Sequence, residues 1–278
     1  MVNRGVALVT GAAKGAGRSI ALRLASEGFK IAVHDLPRNG EQLLNVHRNI
    51  QRLGQHSVVL TADFTDEDQV KNLVEDTTKL LGGLDVMVAN AAVREATPLT
   101  STTAESWNRI FDVNARGLFF CYKYAAQQMI SQRKGGRIIG GSSTWGQKGG
   151  SFMSAYAASQ FAVRGLTESV ALELHEHGIT VNSYAPRQIF HEANPEATLS
   201  MLNSNDSYIR SSARPDEGIL AHRNAPQAIA HLVSYLVSEE AHYITGQCIG
   251  IDRHRALSSP IKESRNGTGE DVKWDKLI

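Results

Sequence analysis

The chain has 278 residues, 42% hydrophobic and 21% charged, with a formal net charge of +1. That is an ordinary globular composition, long enough to bury one sizeable core. It gives no basic field for nucleic acid or an anionic membrane surface, and no apolar run approaches the ~20 residues of a membrane span.

In chain order, short β-rich apolar runs fall at 6–10, 30–33, 57–60, 84–89, 137–139, 180–184 and 248–251. They alternate with helical patterns near 17–27, 40–53, 66–81, 104–132, 154–177 and 226–238. Gly28, Gly54 and Gly178 stand where helices end, and Thr65 with Asp68 has the form of a capping box. This alternation predicts an α/β fold: a Rossmann-like, doubly wound parallel sheet of about seven strands, with helices on both faces. No repeat or linker divides the chain, so a single domain is expected over 1–255, with a polar tail at 256–278. The Asn-, Ser- and Arg-rich stretch 187–224 is too long for a plain connection and reads as a substrate-covering segment. Cys121 and Cys248 lack metal-ligand spacing, which predicts free thiols in a reducing compartment and no metal site. The run 6–10 leads straight into a glycine turn and is not a signal peptide, so the expected location is cytoplasmic.

The first chemical motif is Thr10-Gly11-Ala12-Ala13-Lys14-Gly15-Ala16-Gly17, between the first strand and the first helix. Gly11, Gly15 and Gly17 let the backbone turn tightly and approach a pyrophosphate, whose charge suits a helix N-terminus. Asp35 ends the second strand, where a carboxylate accepts hydrogen bonds from an adenosine ribose and repels a 2′-phosphate. It favours NAD over NADP, although Lys14 and Arg38 could meet such a phosphate. A cap on the loop before Pro37 is the plain structural alternative for Asp35.

With these motifs in this order the chain resembles the short-chain dehydrogenase/reductase family over roughly residues 4–252. The resemblance implies that Asp63 contacts adenine and that Asn90-Ala91-Ala92, with Ala92 replacing a glycine, ends the fourth strand beside the cofactor. It also implies that Asn114 holds a water in a proton path. Ser143, thirteen residues before Tyr156, would hydrogen-bond the substrate oxygen, and Tyr156 would exchange a proton with it. A small-molecule substrate and a homodimer or homotetramer are implied as well. Trp145 and Phe152 flank the expected pocket, and Ile189, Phe190, Met201, Leu202, Tyr208 and Ile209 would give a partly apolar lid.

The chain departs from the family most sharply at Gln160, one turn after Tyr156 in Tyr156-Ala-Ala-Ser-Gln160, where the family has lysine. A free phenol titrates near ~10. A unit charge about 5 Å away, at an effective dielectric of about 20, is worth roughly 3 kcal/mol, or about a hundredfold in phenol acidity. Gln160 can still hydrogen-bond a ribose but carries no charge. After Pro186, Arg187 replaces a glycine beside the nicotinamide, Ile189 keeps the family residue type, and His191 replaces a threonine that contacts the cofactor. Three functions are compatible with these residues: a dehydrogenase/reductase in which Arg187 supplies the missing charge, a redox-neutral isomerase, lyase or cyclase, or an inactive dinucleotide-binding protein.

Overall fold

The computed structural model describes residues 4–186 and 225–251. In chain order these form β1 (Val6–Thr10), α1 (Gly15–Ser26), β2 (Lys30–Asp35), α2 (Gly40–Arg52), β3 (Ser57–Thr61), α3 (Glu67–Leu81) and β4 (Val86–Ala89). There follow α4 (Ala104–Phe111), α5 (Leu118–Gln132), β5 (Gly136–Gly141), α6 (Ser154–Leu174), β6 (Ile179–Pro186), α7 (Ala225–Leu236) and β7 (Cys248–Ile251). The seven strands make one sheet in the order β3-β2-β1-β4-β5-β6-β7, and every pair is parallel. Strand order reverses between β1 and β4, which opens a crevice at the carboxyl ends of the strands.

Alternation along β1 shows how the sequence covers both faces. Val6 and Leu8 join a buried cluster with Leu73, Leu118, Met129 and Val163. Ala7 and Val9 join the opposite cluster with Ile20, Leu24, Leu43 and Val233. The glycine-punctuated ends behave as expected, with Gly28, Gly54 and Gly178 at φ of 102°, 79° and 68°. Among the described residues no helix is long and apolar enough to cross a membrane.

Some expected boundaries are corrected. The N-cap of α3 is Asp66, whose carboxylate accepts from the Gln69 amide, because Thr65 spends its own N–H and hydroxyl on Asp63. β2 and β6 run on to Asp35 and Pro186, poor strand formers held by the register Asp35↔Thr61 and Pro186↔Ile251. Leu84 lies before β4, its N–H and C=O both taken by the Gln132 side chain. The pattern at 104–132 is broken by a π-turn at Asp112–Gly117, where Gly117 lets the backbone close on Phe64. π-turns of this kind often mark functional positions.

Candidate active site

The described residues predicted from the sequence lie on loops at the carboxyl edge of the sheet and on the helices that follow them. Gly11 and Gly15 adopt left-handed φ of 64° and 57°, open to glycine at little cost. A Cβ on Gly17 would collide with the Gly11 carbonyl and the Asn90 amide, so the turn packs at backbone distance. Lys14 is the exposed N-cap of α1 and makes no side-chain cap bond, and no acidic residue occupies the first turn. The uncapped N–H groups and dipole of that end favour an anion.

Asp35, half-buried at the end of β2, combines the two readings of its sequence. One carboxylate oxygen accepts from the Leu36 N–H and the Asn39 amide, at 2.8 and 2.7 Å, and so caps the following loop. The other accepts from the Ala13 N–H at 3.2 Å, tying the glycine turn to β2. Three bonds leave acceptor capacity on a carboxylate, which offers about four lone-pair sites. His34, fully enclosed behind it, holds the Ala62 carbonyl through Nε2 at 3.1 Å. Burial drives the His34 pKa below the usual histidine value, against the Ala62 bond and the charges of Asp35 and Asp63. Asp63 is exposed and accepts from the N–H and hydroxyl of Thr65.

Asn90 is the brace at the switch point. Its amide donates to the carbonyls of Thr10 and Gly11, and its oxygen accepts from the Tyr184 hydroxyl at 2.6 Å. The Thr10 hydroxyl in turn accepts from the N–H groups of Asn90 and Ala91. Asn114, 1% exposed inside the π-turn, clamps Val93 at both ends. Its oxygen accepts from the Val93 N–H at 2.8 Å, and its amide donates to the Val93 carbonyl at 2.9 Å and to the Ser159 hydroxyl at 3.0 Å. Both amide hydrogens are thereby used within the protein. Ser159 then donates to the Tyr156 carbonyl, carrying the clamp into the first turn of α6.

Ser143 N-caps a short turn after β5, its oxygen accepting from the Trp145 N–H, and also hydrogen-bonds Tyr156. Burial pushes the half-buried Tyr156 phenol above the ordinary tyrosine value, while the Ser143 bond and the positive charge of Arg94 pull it down. Gln160 is only 1% exposed, yet neither its amide nitrogen nor its oxygen has a hydrogen-bond partner among the described residues. An unpaired buried amide is costly, typically about 1–3 kcal/mol, so it marks a place where another polar group belongs. Just before Tyr156, Phe152 holds a left-handed φ of 63°, which is strained for a non-glycine residue. Pro186 closes β6 against Ile251. Arg187, Ile189 and His191, with the stretch 187–224 and the tail 256–278, lie outside the described residues.

Thr10, Ser159, Tyr184 and Arg94 were not singled out as site residues from the sequence. Arg94 offered a weak signal there, as a cation four residues after Asn90 in the loop leaving β4.

Comparison with known proteins agrees with this architecture. The chain matches the family described as short chain dehydrogenase over residues 5–198. It is 43% identical to the short-chain dehydrogenase/reductase eriH of Hericium erinaceus, over 92% of this chain and 99% of the relative. It is 36% identical to the L-2,3-butanediol dehydrogenase of Corynebacterium glutamicum, over 89% and 96% of the two chains. Among solved structures it resembles the carveol dehydrogenase of Mycobacterium avium in complex with NAD, with a TM-score of 0.80, 27% identity and coverage of 90% and 97%. The chain belongs to the short-chain dehydrogenase/reductase family and is an oxidoreductase of that class.

Proposed function

We propose that this enzyme uses NAD(H) to interconvert a ketone or aldehyde and the alcohol of a small, moderately apolar substrate. The observation that carries the reading is the buried amide of Gln160, one turn from Tyr156 and without a hydrogen-bond partner among the described residues. An amide offers two donors and an acceptor, which suits the vicinal hydroxyls of a ribose. The other residues fit the rest of the same dinucleotide. The turn Gly11–Gly17, with Lys14 at its rim, would take the pyrophosphate, Asp35 the adenosine ribose and Asp63 the adenine. Asn90, Ala91 and Pro186 would border the nicotinamide, with Ile189 and His191 assigned to it from sequence. The charge of Asp35 favours NAD over NADP.

When bound, the nicotinamide supplies the redox half of the reaction by taking a hydride from the alcohol carbon or returning one to the carbonyl. The protein handles the proton. In oxidation Ser143 hydrogen-bonds the substrate oxygen, and Tyr156 as phenolate removes the hydroxyl proton while the C–H electron pair leaves as hydride. The balance is alcohol to carbonyl, with the proton on Tyr156 passing to solvent; reduction reverses each transfer. Asn114 serves by fixing Val93 and, through Ser159, the first turn of α6. The L-2,3-butanediol dehydrogenase among the relatives supports small secondary alcohols as substrates. A homodimer or homotetramer is part of the proposal, supported by the exposed Phe119 on α5 and Phe161 on α6.

Titration with NADH and with NADPH, read by cofactor fluorescence and followed by L-2,3-butanediol oxidation with NAD, tests the proposal. Tighter NADH binding and NADH formation are expected. Binding of neither cofactor would overturn it.

A further inference from the structure

Asn39 occupies the N-cap position of α2, where an asparagine side chain ordinarily accepts from an N–H of the first helical turn. Here it makes no such bond, and its backbone stands at φ −101° and ψ 15°, outside the extended region of a capping residue. Only the acidic Glu41, in the first turn, favours that end of the helix. The Asn39 amide turns back instead and donates to Asp35 Oδ1 at 2.7 Å. The Leu36 N–H gives the same oxygen a second bond at 2.8 Å. The Asn39 N–H donates to the Leu36 carbonyl at 2.9 Å, so the whole turn closes on the carboxylate. Pro37, between them, stiffens it.

A carboxylate offers about four acceptor sites, two on each oxygen. Leu36 and Asn39 fill those of Oδ1. Oδ2 accepts from the Ala13 N–H at 3.2 Å, which leaves it one site beside the glycine turn. The terminal torsion of an aspartate is soft and close to two-fold, so these bonds decide which oxygen stands free and where the charge rests. We propose that Asn39 is the positioning residue that sets the choice between the two nicotinamide dinucleotides. By holding Oδ1 it presents Oδ2 to the vicinal hydroxyls of an adenosine ribose and fixes the negative charge against a 2′-phosphate. Its part is played through Asp35, and the inference rests on the assignment of Asp35 to the adenosine ribose made above. A side chain that served the fold alone would have capped α2.

The test titrates NADH and NADPH separately against the wild-type protein, Asn39→Ala, Asp35→Asn and the double variant. Binding is read by cofactor fluorescence and folding by melting temperature. The readout is the ratio of the two dissociation constants, because a turn that merely holds the fold together would weaken both cofactors alike when cut. Asn39→Ala is expected to narrow the preference for NADH about three- to tenfold, the net scale of one hydrogen bond, chiefly through weaker NADH binding. Asn39→Leu, which keeps the bulk and removes the donor, is expected to follow it. In the Asp35→Asn background Asn39→Ala is expected to leave the ratio unmoved, since Asn39 works through that charge. A wild-type ratio retained in Asn39→Ala and Asn39→Leu, or an equal loss for both cofactors, overturns the role of Asn39 and leaves the proposed function standing. Wild-type protein that binds neither cofactor, or both alike, overturns the assignment of Asp35 and the inference with it.

Discussion

The two ends of the crevice are furnished differently. At the end proposed for adenosine, polar groups are already satisfied by the protein: Asp35 holds Leu36, Asn39 and Ala13, and Asp63 holds Thr65. At the end proposed for the reaction, Gln160 has both amide atoms buried and, among the described residues, unpaired, and Phe152 carries backbone strain. Unsatisfied polarity and strain persist in a folded protein only where surrounding structure over-determines them, and they gather at working sites. On the proposed function, the difference teaches that the adenosine end is already braced by the protein, whereas the reaction end would be completed by what binds to it.

Mutations at one end should therefore leave the other intact. The largest effect is expected from Tyr156→Phe, which removes the proton carrier and should lower kcat by about a thousandfold. NADH affinity, measured by fluorescence, should stay unchanged; a comparable loss of binding would break the separation. Next, Asp35→Asn should weaken NADH binding about tenfold, the scale of one hydrogen bond to a charged group, and narrow the preference over NADPH. The pH dependence of kcat should not move. Asn114→Ala should cost about 2 kcal/mol of stability, because three hydrogen bonds, one of them buried, go with it, and denaturant unfolding would register the loss. It should also lower kcat, by releasing Val93 and the Tyr156 turn together.

The smallest effect belongs to His34, behind the adenosine end. Its folded pKa is depressed, chiefly by burial, so the unfolded chain binds more protons near and below the ordinary histidine value of about 6.5. Stability should be fully present above that pH and fall as acid takes the medium toward the lower folded value. A His34→Asn variant should lose the histidine part of this slope. Melting curves at neutral and mildly acid pH compare the two, and parallel losses would contradict the assignment.

Much of the adenosine end was legible in the sequence because it is local. A glycine turn between strand and helix, and an acid at the end of the next strand, are read within a few residues of each other. The Ser143–Tyr156 spacing was equally readable. What escaped depends on contacts far apart in the chain: Tyr184 meets Asn90 across 94 residues, and Asn114 reaches Val93 across 21. That second contact fixes the loop after β4 to the π-turn, and nothing local in the sequence announces it. The Asp66 cap was missed for a smaller reason, since Thr65 had a nearer partner in Asp63. The π-turn was hidden because its helical pattern continues on both sides.

The central claim is net hydride transfer at a site whose tyrosine has no charged partner on its own helix. The direct measurement is incubation of the enzyme with 2,3-butanedione and NADH deuterated at the nicotinamide C4, with mass analysis of the product. Deuterium on the new carbinol carbon, and its absence with Tyr156→Phe, is the predicted result. Cofactor bound but its deuterium retained, across a panel of small ketones, would contradict the account and point to redox-neutral chemistry on this fold.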